Sequence, residues 1–313
     1  MRPGYIAPAP RMRGMTLVEL LVALALGLGV LLAASSLLAG ANIAHLAHAD
    51  AVDIDDGGRY ALALIGRAVG QGAFVDWEGL GSAAPGPAAP AALAGLDSRT
   101  LARTSQAIAN PLPDAVNGSD VLAVRYAGAG PAPDGDGSVL NCAGFSVHGA
   151  EEGWSIFYVA RNADGAPELR CKYRGTGNWS ADAIVKGVDG FQVLYGLDTD
   201  TPADGVPNRY VNASAIAALD AALSPGNPPG NPNTHTWWKR VASVRVALLL
   251  HGERPSPASV QAPAWDLFGP AYGSAHAGED AGTWLSAAVL DGRRRAPSRR
   301  ILSAVFAVGR AQE

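Results

Sequence analysis

The chain has 313 residues, with 24 lysine and arginine residues against 28 aspartate and glutamate residues, which gives a formal charge of −4. A general nucleic-acid-binding protein needs a basic surface, so this balance argues against that class. The length is sufficient for a large domain with its own core in addition to other segments.

The first element is an apolar run near the amino terminus. Residues 11–40 read RMRGMTLVELLVALALGLGVLLAASSLLAG, and no charged residue occurs from Leu20 to Gly40. A run of this length is long enough to cross a bilayer as a helix. Glu19 stands near its amino end, where an unpaired carboxylate is costly in lipid and therefore indicates a function.

Two ordinary explanations of this run compete. A secretory signal peptide would be cleaved after the apolar core, near residues 33–36, but this run is longer than a usual signal core. A plain signal anchor also inserts behind basic residues such as Arg11 and Arg13, with its amino end in the cytoplasm. A plain anchor, however, requires neither Gly14 immediately before the run nor a glutamate five residues later.

The combination resembles the type IV prepilin signal, with Gly14 before the cleavage site, Met15 after it and Glu19 at the fifth mature position. The resemblance implies that a prepilin peptidase cuts between Gly14 and Met15 and that the new Met15 amine is methylated. It divides this region into a leader, residues 1–14, and a transmembrane or fibre-core helix, residues 15–41. Loss of the three leader arginines leaves 21 basic against 28 acidic residues, a formal charge of −7.

An amphipathic continuation of this helix is predicted over residues 42–75. No proline occurs from Asn42 to Phe74, and Gly57 and Gly58 indicate either a bend or a close packing site. The apolar positions that recur at helical spacing are Ile54, Ala61, Ile65 and Ala68. The side chains that we expect to pack on a sheet are Tyr60, Leu62, Leu64, Ile65 and Val69.

Residues 76–313 are predicted to form an extracytoplasmic, β-rich head domain. A Gly- and Pro-rich loop over residues 79–95 leads into it, and the Pro-rich stretch 224–233 is predicted to be an inserted loop. A short helix is predicted over residues 213–223. Strands are predicted over residues 120–126, 154–160, 168–173, 184–195, 241–250 and 301–308, and the second and third of these form a hairpin. A long amino-terminal helix packed on an antiparallel sheet is an α+β fold.

Several segments of the helix and head resemble the PilW-type minor pilins of type IV pili. These segments are residues 56–67 (DGGRYALALIGR), 187–200 (GVDGFQVLYGLDTD), 209–214 (RYVNAS), 241–250 (VASVRVALLL) and the tail from Asp291 to Phe306. The chain departs from the family pattern at Met15, where phenylalanine is commonest, and in the 224–233 loop. The resemblance implies a type IV pilin-like fold.

The resemblance also implies a location and a set of partners. The subunit would wait in the inner membrane, crossing it once with a cytoplasmic amino terminus and a periplasmic head, and would then enter an extracellular fibre. Its implied partners are the prepilin peptidase, other minor pilins, the major pilin, the inner-membrane assembly platform and the lipid bilayer, whereas nucleic acid is not expected. In the fibre the Glu19 carboxylate would neutralise the Met15 amine of a neighbouring subunit, because a buried charge is tolerated when it is paired.

The chain contains two cysteines, Cys142 and Cys171, and both follow the apolar run. In an oxidising compartment such an isolated pair is most simply one disulfide. Neither a Cys-x-x-Cys motif nor a neighbouring histidine offers further ligands for a metal.

One acidic loop is a candidate for calcium. Asp198, Asp200 and Asp204 stand in a glycine-containing segment, and their carboxylates would supply the oxygen ligands that Ca²⁺ prefers. The spacing differs from that of an EF-hand, and acidic turns are usually only solvated. No other cofactor is predicted.

The remaining candidates are weaker. His45 and His48 lie one helical turn apart without an evident third ligand. Arg293, Arg294 and Arg295 with Arg299 and Arg300 form a basic cluster that suits either DNA, anionic lipid or a solvated turn. No GxSxG motif and no recognisable pairing of a histidine with a nucleophile occurs, so the chain is not expected to be an enzyme.

Three functions from different classes follow. The first is a minor pilin that helps to initiate type IV pilus assembly and sits near the fibre tip, supporting adhesion, twitching motility or DNA uptake. The second is a minor pseudopilin of a type II secretion system, which shares the signal and the general fold. The third is a binding module at the fibre tip, an adhesin or a DNA receptor, for which the 224–233 loop and the arginine cluster are the hints.

Overall fold

The computed structural model describes residues 14–72, 88–175, 177–223, 232–255, 264–276, 278–290 and 297–308. The chain forms two compact units, residues 1–49 and residues 50–313. Parts of the predicted leader, of the two predicted loops and of the arginine cluster (residues 1–13, 79–87, 224–231 and 293–295) lie outside the described residues, as do residues 73–75 at the predicted helix end.

A single long helix, α1 (Leu17–Gln71), begins in the first unit and ends in the second. In the first unit nearly every one of its side chains is exposed, whereas from Asp50 onward it buries one face. The sequence contains no proline or turn signal that would stop it between the two predicted segments. The helix therefore continues without a break through the predicted boundary at residue 42.

The second half of α1 packs through small and branched side chains. Its buried positions are Asp50, Ile54, Gly58, Ala61, Leu64, Ile65, Ala68 and Val69. A Cβ atom on Gly58 would lie 2.8 Å from Cδ2 of Leu302, so Gly58 is a close packing site rather than a bend. The expectation that Tyr60 packs on a sheet is wrong, because its side chain is 57% exposed and lies off the buried face.

The described part of the second unit also contains antiparallel strands and short helices. The strands are β1 (Leu93–Leu96), β2 (Val121–Ala127), β3 (Glu152–Arg161), β4 (Pro167–Arg174), β5 (Trp179–Lys186), β6 (Val188–Leu197), β7 (Arg209–Val211), β8 (Val241–Pro255), β9 (Ala264–Asp266), β10 (Trp284–Ser286) and β11 (Pro297–Ala307). The helices are α2 (Ala213–Ala222), α3 (Pro270–Ala275) and α4 (Ala287–Leu290).

Among the described residues, the strands form two main antiparallel sheets. Sheet 1 has the order β1-β2-β3-β4-β5, and sheet 2 has the order β11-β8-β6-β7; β9 and β10 form a separate pair. The β3–β4 hairpin has the predicted pairing, with Ile156 opposite Lys172. In sheet 2, Val193 of β6 lies opposite Val246 of β8. The α+β class predicted from the sequence, with a long apolar helix and antiparallel sheets, is confirmed.

Two sequence predictions for the strands need correction. The predicted strand over residues 184–195 is two strands in different sheets, because Gly187 adopts a φ of 72° between β5 and β6. Glycine reaches this left-handed region without the steric cost that other residues pay. The predicted loop over residues 79–95 also ends too late, because Leu93 already pairs with Val124 of β2.

One core cluster combines the buried face of α1 with both sheets. Ile65 of α1, Phe157 of β3 and Val246 of β8 all belong to it and are fully buried. The opposite face of sheet 2 is covered by the segment from β9 to α4, in a second cluster that includes Leu249 and Leu267. Because both faces of sheet 2 are covered, every residue of β6 is buried.

Buried carboxylates fasten the elements of this unit to one another. Asp50 of α1 accepts hydrogen bonds from the backbone N–H of Glu253 at 3.0 Å and from Ser298 Oγ at 3.1 Å. Gly252 lies against the Asp50 carboxylate, where any side chain would collide with it. Asp120 joins the two sheets, because its carboxylate accepts the backbone N–H of Ser98 at 3.1 Å and that of Val193 at 2.9 Å.

Candidate assembly site

The predicted processing site stands directly before α1. Gly14, Met15 and Thr16 precede the first helical residue, and Glu19 lies in the first turn. One carboxylate oxygen of Glu19, Oε2, accepts the backbone N–H of Thr16 at 2.9 Å and the Thr16 hydroxyl at 3.0 Å. In return, the backbone N–H of Glu19 donates to Thr16 Oγ1 at 3.3 Å.

This reciprocal arrangement is a capping box, in which the first and fourth residues satisfy each other's donors at a helix start. It provides partners for two backbone N–H groups that the helix itself leaves unpaired. It also places a negative charge at the positive end of the helix dipole. The sequence analysis did not predict this cap, although Thr16-x-x-Glu19 before an apolar run is the usual signal of a capping box.

The apolar surface of α1 has no protein cover in the first unit. Within the described residues, one helix is long and apolar enough to cross a membrane, with a mean hydropathy of 2.5 over its most apolar window and none of that window buried. Leu17 is 74% exposed and Leu37 is 75% exposed. Such a surface requires either lipid or other apolar helices around it.

The two cysteines are joined in a disulfide, as the sequence predicted. Cys142 and Cys171 have Cα atoms 5.8 Å apart, and both side chains are buried. Cys171 lies on β4, and the backbone N–H of Cys142 donates to Ser155 Oγ of β3 at 2.9 Å. The disulfide therefore fastens the loop that carries Cys142 to the middle of sheet 1.

The structure brings the three predicted calcium ligands together. One carboxylate oxygen from each of Asp198, Asp200 and Asp204 lies within 4.8 Å of the others. The fully buried Asp198 already accepts the backbone N–H groups of Asp200 at 3.2 Å and Gly205 at 2.6 Å. Arg240 lies 3.8 Å from the same carboxylate. The loop thus has internal partners for its most buried charge, and calcium binding stays a prediction.

The other sequence candidates do not form sites of this kind. In the described part of the chain, the aspartate loop is the only group of three or more potential metal ligands, so His45 and His48 belong to none. Arg300 forms an ion pair with Asp55 of α1 at 2.6 Å, and Arg299 forms one with Asp189 at 2.7 Å. These two arginines therefore hold elements of the head together.

Sequence reasoning missed the buried ion cluster around Asp189. His251 Nδ1 and Arg299 Nε lie 3.0 Å and 2.7 Å from its two carboxylate oxygens. Burial alone would raise the pKa of Asp189, but the hydrogen bonds and charges of these two partners hold the pKa below its ordinary value. Residues far apart in the sequence meet here, at the end of sheet 2 where β6, β8 and β11 come together.

Comparison with known proteins finds a family match for part of the head. The family model of PilW, described as Type IV Pilus-assembly protein W, matches residues 156–306, which extend from β3 into β11. No curated protein and no solved structure matches the chain.

Proposed function

Because this chain is a PilW-type type IV pilus protein, we propose that it is a minor pilin that is cleaved after Gly14, helps to initiate fibre assembly and enters the fibre near its tip. The single observation that carries the proposal is the bare apolar helix, which starts at the prepilin-type sequence and continues into the PilW-type head. PilW is a family of pilus assembly rather than of enzymes.

The capping box supports a specific role for Glu19 in assembly. Both Thr16 donors bind the same oxygen, Oε2. The described contacts leave the second oxygen, Oε1, without a partner, and a carboxylate oxygen accepts more than one hydrogen bond. We propose that Oε1 accepts the Met15 amine of a neighbouring subunit in the fibre. A charge-assisted bond of this kind is stronger than a neutral one.

The environment of the apolar helix supports the proposed path of the subunit. Before assembly, lipid of the inner membrane would cover the helix, with the head in the periplasm. In the fibre, the apolar helices of the major pilin and of other minor pilins would replace the lipid. Both surroundings are apolar, so transfer between them costs little hydrophobic free energy, and packing between helices then decides the association.

Mass spectrometry of the amino-terminal peptide tests the proposal. Sheared surface fibres and the membrane fraction would be digested in parallel and searched for peptides that begin at Met15. We expect a methylated peptide in the fibres at low abundance relative to the major pilin. If the processed peptide is confined to membranes, the protein acts as a pseudopilin or only during assembly. Intact residues 1–14 in every fraction would refute processing.

A matched pair of variants tests the role of Glu19. In Glu19→Gln, the side chain retains an oxygen that accepts the Thr16 bonds but lacks the charge for the amine of the neighbour. We expect normal cleavage in the membrane fraction and a strong loss of the protein from fibres. Glu19→Asp retains the charge on a shorter side chain and should enter fibres at an intermediate level. Equal incorporation of Glu19→Gln and the wild type would contradict the proposed pairing.

A further inference from the structure

Strand β11 is an edge of sheet 2 that is paired on one side. It spans eleven residues, Pro297–Ala307, and among the described strands its neighbour is β8. In an antiparallel pair, the backbone N–H and C=O groups of successive residues point alternately toward the partner strand and away from it. About half of these groups in β11 therefore point away from β8. No strand in the described part of the chain pairs with them.

The sequence of β11 does not protect this edge. Residues 301–308 read ILSAVFAV, without a charge or a proline. Natural proteins protect exposed edges with short strands, charged side chains, proline or bulges, because an unprotected edge is a template for another chain. The other edges of the two main sheets use these devices. Strands β1 and β7 have four and three residues, and β5 carries the exposed Asp182 and Lys186.

The outer face of β11 adds exposed apolar side chains to this edge. Val305 is 55% exposed and Ile301 is 37% exposed. Leu249, which lies opposite Ile301 on β8, is fully buried in the cluster with the segment from β9 to α4. The cover of this face thus reaches β8 but leaves both β11 side chains exposed. Apolar contacts of these side chains would stabilise an added strand beyond its backbone hydrogen bonds.

The contacts with α1 define the direction of β11. A Cβ atom on Gly58 would lie 2.8 Å from Cδ2 of Leu302, and one on Gly66 would lie 2.5 Å from Cε1 of Phe306. Gly66 follows Gly58 by eight residues, and Phe306 follows Leu302 by four. Eight helical residues advance about 12 Å and four strand residues about 13 Å. Strand β11 therefore runs beside α1 in the same direction.

This direction argues against a second copy of the chain as the occupant of the edge. Antiparallel pairing of β11 with β11 would place the two α1 segments in opposite directions, whereas identical subunits of a fibre repeat in one direction. The other edges that a second copy could offer, β1, β5 and β7, are the short or charged ones. A strand of a different protein fits the edge better.

We propose that in the assembled pilus the β11 edge pairs with an extended, uncharged strand of a different pilus subunit. The added strand would run antiparallel to β11 and would place apolar side chains against Ile301 and Val305. In such strand addition, backbone hydrogen bonds give affinity and alternate side chains give specificity. The inference rests on the proposed role as a pilus subunit, but it uses no residue of the processing site.

Amide hydrogen exchange of residues 297–308, measured by mass spectrometry, tests this pairing. The full processed chain would be measured in detergent micelles, in sheared fibres and in membranes of cells that make all pilus subunits. In micelles, about half of these amides should exchange fast, because β8 accepts alternate N–H groups. In fibres or membranes, we expect the fast amides to become slower by about tenfold or more. Residues 179–186 of β5 are the internal comparison and should exchange equally in all samples.

A pair of lysine variants tests the edge itself. Ser303→Lys places a charge in the middle of the uncharged run, so the amount of the chain in sheared fibres should fall about tenfold. Ala183→Lys, at an exposed position of β5, is the matched control and should stay within about twofold of the wild type. Ser303→Thr keeps an uncharged strand-forming residue and should behave like the wild type.

The amino-terminal peptide is measured in the same samples, so a failure of processing is recognised separately from a failure of strand pairing. The inference is wrong if the fast amides of β11 persist in both fibres and membranes, whatever the state of residues 1–14. It is also wrong if these amides are already slow in micelles, because the same chain would then cover the edge. Protection in micelles that increases with protein concentration would assign the edge to a second copy instead. Equal losses from fibres in Ser303→Lys and Ala183→Lys would likewise overturn it.

Discussion

At the scale of single residues, the molecule contains charged groups whose environments were set by partners distant in sequence. Lys172 is fully buried on β4, and its ammonium group donates to the Ala102 carbonyl at 2.9 Å and to Ser105 Oγ at 2.7 Å. It also stands 5.7 Å from the centre of the Trp179 ring. In contrast, the partners of Glu19 are three residues away. The sequence alone can reveal a local partner such as that of Glu19, but not distant partners such as those of Lys172.

The capping box at the start of α1 predicts a local effect of Thr16. Thr16→Val removes the hydroxyl that accepts the N–H of Glu19, so we expect the first turn to lose about 0.5–2 kcal/mol. Amide hydrogen exchange of Glu19 in micelles should become faster, whereas Thr16→Ser, which retains the hydroxyl, should behave like the wild type. Unchanged exchange in Thr16→Val would show that the box contributes nothing to the helix start.

The burial of Lys172 predicts a pH-dependent stability. Burial lowers the pKa of Lys172 from 10.5 to about 8, so between these values the unfolded chain holds a proton that the folded chain has released. The free energy of unfolding therefore gains a favourable contribution as pH rises from 8 towards 10.5. In Lys172→Met this contribution is absent.

Urea denaturation measures this difference. The wild type and Lys172→Met would be compared from about pH 7 to about pH 9.5, in steps of about half a pH unit. The free energy of unfolding of the wild type minus that of the variant should increase from the acid side to the alkaline side of the window. Lys186→Met, on the neighbouring strand β5, is the control for loss of a lysine that is exposed. A gap that is constant with pH would contradict the lowered pKa of Lys172.

At the scale of elements, most of the strands follow from local sequence, while their partners do not. The predicted strands at residues 120–126, 154–160 and 168–173 correspond to β2, β3 and β4, because each is a β-rich run with turn residues around it. The division at Gly187 was missed, since one glycine in an apolar run does not reveal a change of sheet. The short strands β9 and β10 have three residues each, too few for a periodic pattern.

The packing of α1 on sheet 2 predicts opposite effects of two glycine substitutions. In Gly66→Ala the new Cβ would lie 2.5 Å from Cε1 of Phe306, so the ring must move and we expect a loss of about 1–3 kcal/mol. In Gly70→Ala the new Cβ meets no atom within 4 Å, so higher helix propensity should give a gain of up to about 1 kcal/mol. Thermal unfolding of the two variants measures both effects, and equal shifts would contradict this packing.

At the scale of the whole molecule, the two halves of α1 have different environments. Its first half exposes apolar side chains to whatever surrounds the protein, and its second half is part of the core of the head. The Asp50 carboxylate lies at the first residue of the second unit, and it is held by β8 and β11 through Glu253 and Ser298. The helix and the head therefore share one folded unit from Asp50 onward.

The disulfide predicts a loss of stability for the whole head when it is removed. Cys142 and Cys171 are separated by 29 positions in the sequence. In the chain-entropy account, opening such a loop costs about 3.6 kcal/mol. Cys142→Ala combined with Cys171→Ala should lower the midpoint of urea unfolding accordingly, and the wild type under reducing conditions should approach the same midpoint. A midpoint that is insensitive both to the substitutions and to reductant would refute this contribution.

The sequence by itself determined the features that depend on neighbours along the chain. These are the apolar helix, the order of Gly14, Met15 and Glu19, and the main strands. It also determined the disulfide, because the chain has two cysteines. These features need only composition, period and order. The tertiary structure decided which strands share a sheet, that Gly252 must leave room for Asp50, and that Asp189, His251 and Arg299 form one buried ion cluster. Such contacts join residues tens to hundreds of positions apart, and only the packing of the folded chain brings them together.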